Sequence, residues 1–151
     1  MKNNVFSLKK YSLSIIFVFL FYSCLLYGKE TIITFMDLPE KSQTYIKTHF
    51  AEAASIKIKK SQNGLSLKYE VKLNNMIELE FNSKGEITCV EGYIPLPDSV
   101  IPQNILEYVK KNYNDKYITE WKIKKRIQEV ELSNGLELQF DLKGNFLRID
   151  R

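Results

Sequence analysis

Residues 70–91, EVKLNNMIELEFNSKGEITCVE, and residues 129–150, EVELSNGLELQFDLKGNFLRID, run in register at a spacing of 59. Ile77, Leu79 and Phe81 fall on Leu136, Leu138 and Phe140, and Lys84-Gly85 falls on Lys143-Gly144. Upstream the spacing is 63: Leu38-Pro39 falls on Ile101-Pro102, Tyr45-Ile46-Lys47 on Tyr108-Val109-Lys110, and Phe50 on Tyr113. A register held over roughly twenty residues marks one structural unit used twice. The chain must therefore fold as two copies of one unit.

Each copy is predicted to open with a helix. Pro39 and Pro102 suit a first helical turn, where a missing N–H costs nothing, and Asp37 and Ser99 stand upstream as candidate caps. Ile46 and Phe50, then Ile105, Val109 and Tyr113, recur every four residues as an apolar stripe. Four strands follow. Ile56 and Ile58 alternate with Lys57 and Lys59; Leu67, Tyr69, Val71 and Leu73 alternate with Lys68, Glu70 and Lys72; Ile77, Leu79 and Phe81 alternate with Glu78 and Glu80. Period two gives one buried face and one wet face. Asn63-Gly64 and Asn134-Gly135 read as tight hairpin turns, and Asn74-Asn75 as a weaker form. The first hairpin of copy two is four residues shorter, so Lys124-Lys125-Arg126 must make a tight or bulged corner.

These elements predict an α+β fold. It is a tandem repeat of a helix plus a four-stranded antiparallel meander. Pairing of one edge strand from each copy would give a single larger antiparallel sheet of eight strands, with the helices on one face. The segments are a signal peptide at 1–28, repeat 1 at 29–93, a stiff Pro-rich linker at 94–98, and repeat 2 at 99–151.

The signal reading rests on Lys2, Lys9 and Lys10 followed by the short apolar run from Leu13 to Phe21. That run is too short for a membrane span, and none is expected once the signal is removed. Cleavage after Gly28 gives plain secretion. Cys24 after Ser23 offers the other reading, a lipidated cysteine that anchors an outer-membrane lipoprotein. The chain carries 22 basic and 18 acidic residues, but three of the lysines and none of the acids lie in the first 28. The remainder has a net charge of +1, which leaves no concentrated basic patch for nucleic acid. Only Cys89 remains after Gly28, so no internal disulfide is expected. Its place in a predicted strand suggests a buried, inert thiol.

The elements L-P…Y-I-K…F and E-V-x-L-x-N-G-x-E-L-x-F-D-x-K-G-x-F-x-x-I-D resemble the PepSY-like, β-lactamase-inhibitor-like proteins, which are secreted proteins of Bacteroides-type bacteria. Residues 129–150 carry the resemblance best; copy one departs at Asn74-Asn75 and at Asn82, where the family favours Asp. The resemblance implies a periplasmic or cell-surface protein of helix-plus-four-strand repeats, with no catalytic residues to carry over. The inhibitor label comes from likeness of fold, and fold alone does not assign function.

Reaction chemistry finds little support in the residues. His49 is the only histidine, and no second ligand stands near it in sequence. The glycines Gly64, Gly85, Gly135 and Gly144 read as turn residues, and no phosphate-binding loop is present. Glu78 with Glu80, and Glu129 with Glu131, share strand faces, but pairing with lysines on neighbouring strands explains them. No enzyme activity and no cofactor are expected. The expected function is noncatalytic binding of an envelope or secreted protein, extending to inhibition of a secreted protease or β-lactamase. A pro-domain-like assembly module is the alternative. The expected surface is the wet face: Lys57, Lys59, Lys68, Lys72, Glu78, Glu80, Lys122, Lys124, Glu129, Glu131 and Glu137.

Overall fold

The computed structural model describes residues 29–150, so the expected signal segment 1–28 and Cys24 within it lie outside the described residues. Among the described residues, α1 (Glu40–His49) and α2 (Gln103–Asn112) are the helices. The strands are β1 (Lys29–Ile32), β2 (Ser55–Asn63), β3 (Ser66–Leu73), β4 (Ile77–Asn82), β5 (Ile87–Gly92), β6 (Ile118–Lys124), β7 (Ile127–Leu132), β8 (Glu137–Asp141) and β9 (Phe146–Asp150). They form one antiparallel sheet in strict sequence order, β1 to β9. The α+β tandem repeat holds, but the sheet has nine strands where the sequence predicts eight. The additional strand is β1. It pairs with β2 through Ile32 and Lys59, as β5 pairs with β6 through Cys89 and Lys122, and Lys59 and Lys122 are equivalent at spacing 63. Each repeat therefore leans its first long strand on a strand that precedes its helix.

Both helices pack on the same face. Ile46, Phe50, Ile105 and Val109 are buried, as the four-residue spacing predicts. Beneath them Phe81 and Phe140 are fully buried, each meeting the edge of a helix tyrosine. Tyr45 lies 5.8 Å from Phe81 and Tyr108 lies 5.4 Å from Phe140, both rings near perpendicular. Burying each phenylalanine contributes about 1.5–3 kcal/mol, and the edge-on contacts add about 1 kcal/mol more. The repeats thus share one core solution. Trp121 and Val90, facing each other across the β5–β6 junction, are both buried, so the core runs unbroken from copy to copy.

Local details correct several expectations. Pro39 and Pro102 stand at the cap positions, one residue before each helix. Asp37 does not cap α1; it accepts from the backbone N–H and hydroxyl of Thr34, at 2.8 and 2.7 Å, and closes a 3-10 turn. Ser99 lies 3.0 Å from His49 Nδ1 and ties the start of repeat 2 to the end of α1. The first hairpin turns on Gly64 and Leu65, not on Asn63-Gly64, because Asn63 still pairs with Ser66. Ile56 is 60% exposed: a bulge between Ser55 and Lys57 breaks the alternation there. In the β3–β4 turn the left-handed residue is Met76, which stands where copy two has Gly135. The linker is docked: Leu96 is buried and its N–H donates to the Ile118 carbonyl at 3.0 Å.

Candidate functional site: the open face of the sheet

The face away from the helices is covered by no other element among the described residues. Period two sends Lys57 and Lys59 to this face from β2, Lys68 and Lys72 from β3, and Glu78 and Glu80 from β4. Lys122 and Lys124 reach it from β6, Glu129 and Glu131 from β7, and Glu137 from β8. The structure therefore brings the eleven sequence-derived residues onto one face. It does not make them equivalent.

Two rows cross the sheet. The inner row runs Lys59, Glu70, Glu80, Cys89, Lys122, Glu129, Gln139, Arg148. It is largely self-satisfied. Lys59 pairs with Glu30 at 2.9 Å, and Lys68, which opposes Ser61 and Asn82 outside both rows, bridges Glu70 and Glu80 at 2.8 and 3.1 Å. Glu129 is only 3% exposed. It accepts from Gln139 at 3.1 Å and lies 3.5 and 3.4 Å from Lys122 and Lys124. Gln139 in turn accepts from Arg148 Nε at 2.9 Å. Glu129 and Gln139 are thus buried under their neighbours, and a partner would meet the side chains above them instead. Cys89 is half-buried in this charged row rather than in the core. Burial first, then the nearby Glu120 and Glu80 carboxylates, push its thiol pKa up, so it stays protonated and unreactive.

The outer row starts with Lys57 and Lys72 and continues Glu78, Glu91, Glu120, Glu131, Glu137, Asp150. Six carboxylates thus stand side by side on six consecutive strands. Lys72 pairs with Glu78 at one end, and Lys122 lies 3.0 Å from Glu120. Among the described residues Glu91, Glu131 and Glu137 have no ion-pair partner. Burial first, then the neighbouring Glu120, Glu78 and Glu131 carboxylates, raise the Glu91 pKa above its ordinary value. Lys122 loses from burial but is held charged by Glu120, Glu129 and Glu137, and its pKa rises on balance. Like charges directly opposite each other are destabilising in a sheet. Tyr93, 85% exposed, follows Glu91-Gly92 just past the end of β5, and exposed Met76 precedes Ile77, the residue paired with Gly92.

Glu91, Glu120, Asp150 and Tyr93 escaped the sequence reading. Alternation from buried Val90 places Glu91 on the wet face, but that the row continues into Glu120 depends on the β5–β6 register, which no turn encodes. Among the described residues no three ligating side chains gather to hold a metal ion, and no helix is long and apolar enough to cross a membrane. His49 has Ser99 as its hydrogen-bonded neighbour, a contact that joins the two repeats, and its ring lies tilted against Tyr45 of the same helix at 4.5 Å.

A family profile described as "Putative beta-lactamase-inhibitor-like, PepSY-like" matches residues 25–88 and again 67–148. Among solved structures, a putative periplasmic protein of the DUF2874 family from Bacteroides vulgatus is 35% identical, with a TM-score of 0.76 over 82% of this chain and 98% of its own. A putative calcium-regulated periplasmic protein from Bacteroides thetaiotaomicron is 34% identical, with a TM-score of 0.77 over 81% and 97%. A second Bacteroides vulgatus protein, described as periplasmic and of unknown function, is 34% identical, with a TM-score of 0.75 over 83% and 100%. Among curated proteins nothing matches the chain.

Proposed function

The chain belongs to the PepSY-like family of periplasmic proteins, and on that premise we propose that it is a noncatalytic binding protein whose open sheet face grips a basic protein partner. The observation that carries this reading is the outer row of six carboxylates. Like charges directly opposite each other destabilise a sheet, and a partner presenting lysines and arginines would offset that repulsion on binding. The row supplies steering and orientation. The exposed Tyr93, together with exposed Met76, supplies the kind of aromatic contact that carries binding energy at interfaces. Inhibition of a secreted enzyme is the finer form of the reading, in which the row would lie against a basic rim of that enzyme. The calcium-regulated neighbour suggests a cation at such a surface. A ladder spread over six strands with no gathered ligand set fits a partner's distributed positive charges better than one chelated ion.

The test is calorimetric titration with an oligolysine peptide and with an oligoglutamate control, at two salt concentrations. The oligolysine is expected to bind, and binding is expected to weaken as salt rises. The double variant Glu131→Lys with Glu137→Lys should lose it, while Lys59→Glu with Lys72→Glu should keep it. Equal affinity of wild type and the Glu131/Glu137 variant for oligolysine would sink the assignment.

A further inference from the structure

The two repeats differ where the C-terminal end of each helix meets the first strand of the meander. In repeat 2, Asp98, Val109, Lys110, Lys116 and Ile118 line a space of about 140 Å³ that Leu96 also helps to fill. The positions 63 residues earlier are Phe35, Ile46, Lys47, Ala53 and Ser55, and in repeat 1 they line a cavity of about 410 Å³. Three changes account for the difference. Ala53 stands where Lys116 would, and Ser55 where Ile118 would, so side-chain volume is missing. The lead-in segment docks elsewhere: Leu96 N–H donates to Ile118, whereas Ile33 N–H donates to Ile58, three residues further along its strand. Among the described residues nothing equivalent to Leu96 therefore enters the repeat 1 cavity. Lastly, Asp98 pairs with Lys110 in repeat 2, but its counterpart is Phe35. Lys47 is left without a carboxylate partner among the described residues, its ammonium 5.6 Å from the Phe35 ring centre.

The result is an open pocket whose walls are Phe35, Ile46, Phe50 and Ala53 with Ser55 among them and an exposed Lys47 cation at its mouth, of the size small-molecule sites have. We propose that it binds an amphipathic carboxylate, an aliphatic monocarboxylate of medium chain length. The chain lies on Phe35, Ile46, Phe50 and Ala53, and the carboxylate meets the Lys47 ammonium in a charge-assisted hydrogen bond. The carbonyl end of α1 disfavours an anion deep inside, which sets the carboxylate outward at the mouth. This site lies on the helix side of the sheet, apart from the carboxylate row, so either proposal can fail without the other.

The experiment is calorimetric titration of the protein recovered from the periplasm with octanoate, decanoate and decanol. One saturable site for decanoate is expected, tighter than octanoate by up to about fourfold per added methylene. Decanol should bind about tenfold more weakly than decanoate, since it lacks the charge. Lys47→Met should bring decanoate down to the affinity of decanol. Ala53→Lys with Ser55→Ile, the residues of repeat 2, should abolish binding of both. If that pair fails to fold, the exposed Lys47→Met change alone decides. The proposal is overturned by no saturable binding of decanoate, by equal binding to wild type and Lys47→Met, or by binding that survives the folded cavity-filling pair.

Discussion

Met76 holds a left-handed backbone, φ 64°, where the second repeat uses Gly135 at φ 78°. A side chain in that region costs about 1–2 kcal/mol, and Met76 is largely exposed, so it has little packing to lose. Met76→Gly is therefore predicted to stabilise the protein by about 1 kcal/mol in urea unfolding. Glycines in the other turns act in two ways that one comparison separates. At Gly135 an added Cβ would meet open space, whereas at Gly85, φ +77°, it would fall 2.6 Å from Pro39 Cβ. Gly135→Ala should cost about 1 kcal/mol for conformation alone, and Gly85→Ala at least about twice that, since the helix start must also move. Glu91 gives the pH-dependent case. Its folded pKa is raised, so ionising it works against the fold: its contribution is favourable below the ordinary value of 4.5 and is lost as pH rises through the folded value. Glu91→Gln should raise Tm near neutrality, and the gain should vanish below pH 4.5. A gain that persisted unchanged in acid would assign it to packing. Of these residues, Gly85 and Gly135 were legible in the sequence as turn positions. Met76 was not, because Asn74-Asn75 looked like the turn and only the repeat register places Met76 on Gly135.

The strands and helices were the most legible part of the protein, because period two and period four leave little freedom once a face must be buried. Two elements were not. β1 is a short KETI segment with all four residues exposed, so it has no apolar alternation to betray it. The β5–β6 pairing joins strands separated by a linker and a helix, and its register follows from packing Val90 against Trp121 rather than from any turn. That junction predicts a cooperative molecule. Trp121 is buried, and its indole N–H donates to the Gln128 side chain at 3.0 Å, which itself donates to the Asp141 carbonyl. Trp121→Ala should cost about 3–5 kcal/mol. Both repeats should still unfold in one transition, so that circular dichroism and tyrosine fluorescence give the same midpoint. Two separated transitions would mean that the copies fold independently and that the shared sheet is not a single unit.

Taken as a whole, the protein is a sheet doubled by repetition, helices on one side and charge on the other. Which residues face outward could be read from alternation. That the charge divides into a self-satisfied inner row and an acidic outer row could not, because cross-strand neighbours depend on register. Lys57 and Lys72 share a row with six acids; Glu78 takes Lys72, Glu120 takes Lys122 and Asp150 accepts from Gln139, which leaves Glu91, Glu131 and Glu137 without an ion-pair partner among the described residues. The acidic half of the open face is therefore where a partner is expected, with the helix face left uncovered. Hydroxyl-radical footprinting of the protein bound to a partner captured from the periplasm tests this most directly. The account predicts protection at Tyr93 and Met76 and along β6–β8, with Tyr108 and Tyr113 on the helix side unchanged. Protection confined to the helix side, with Tyr93 and Met76 left fully reactive, would contradict it.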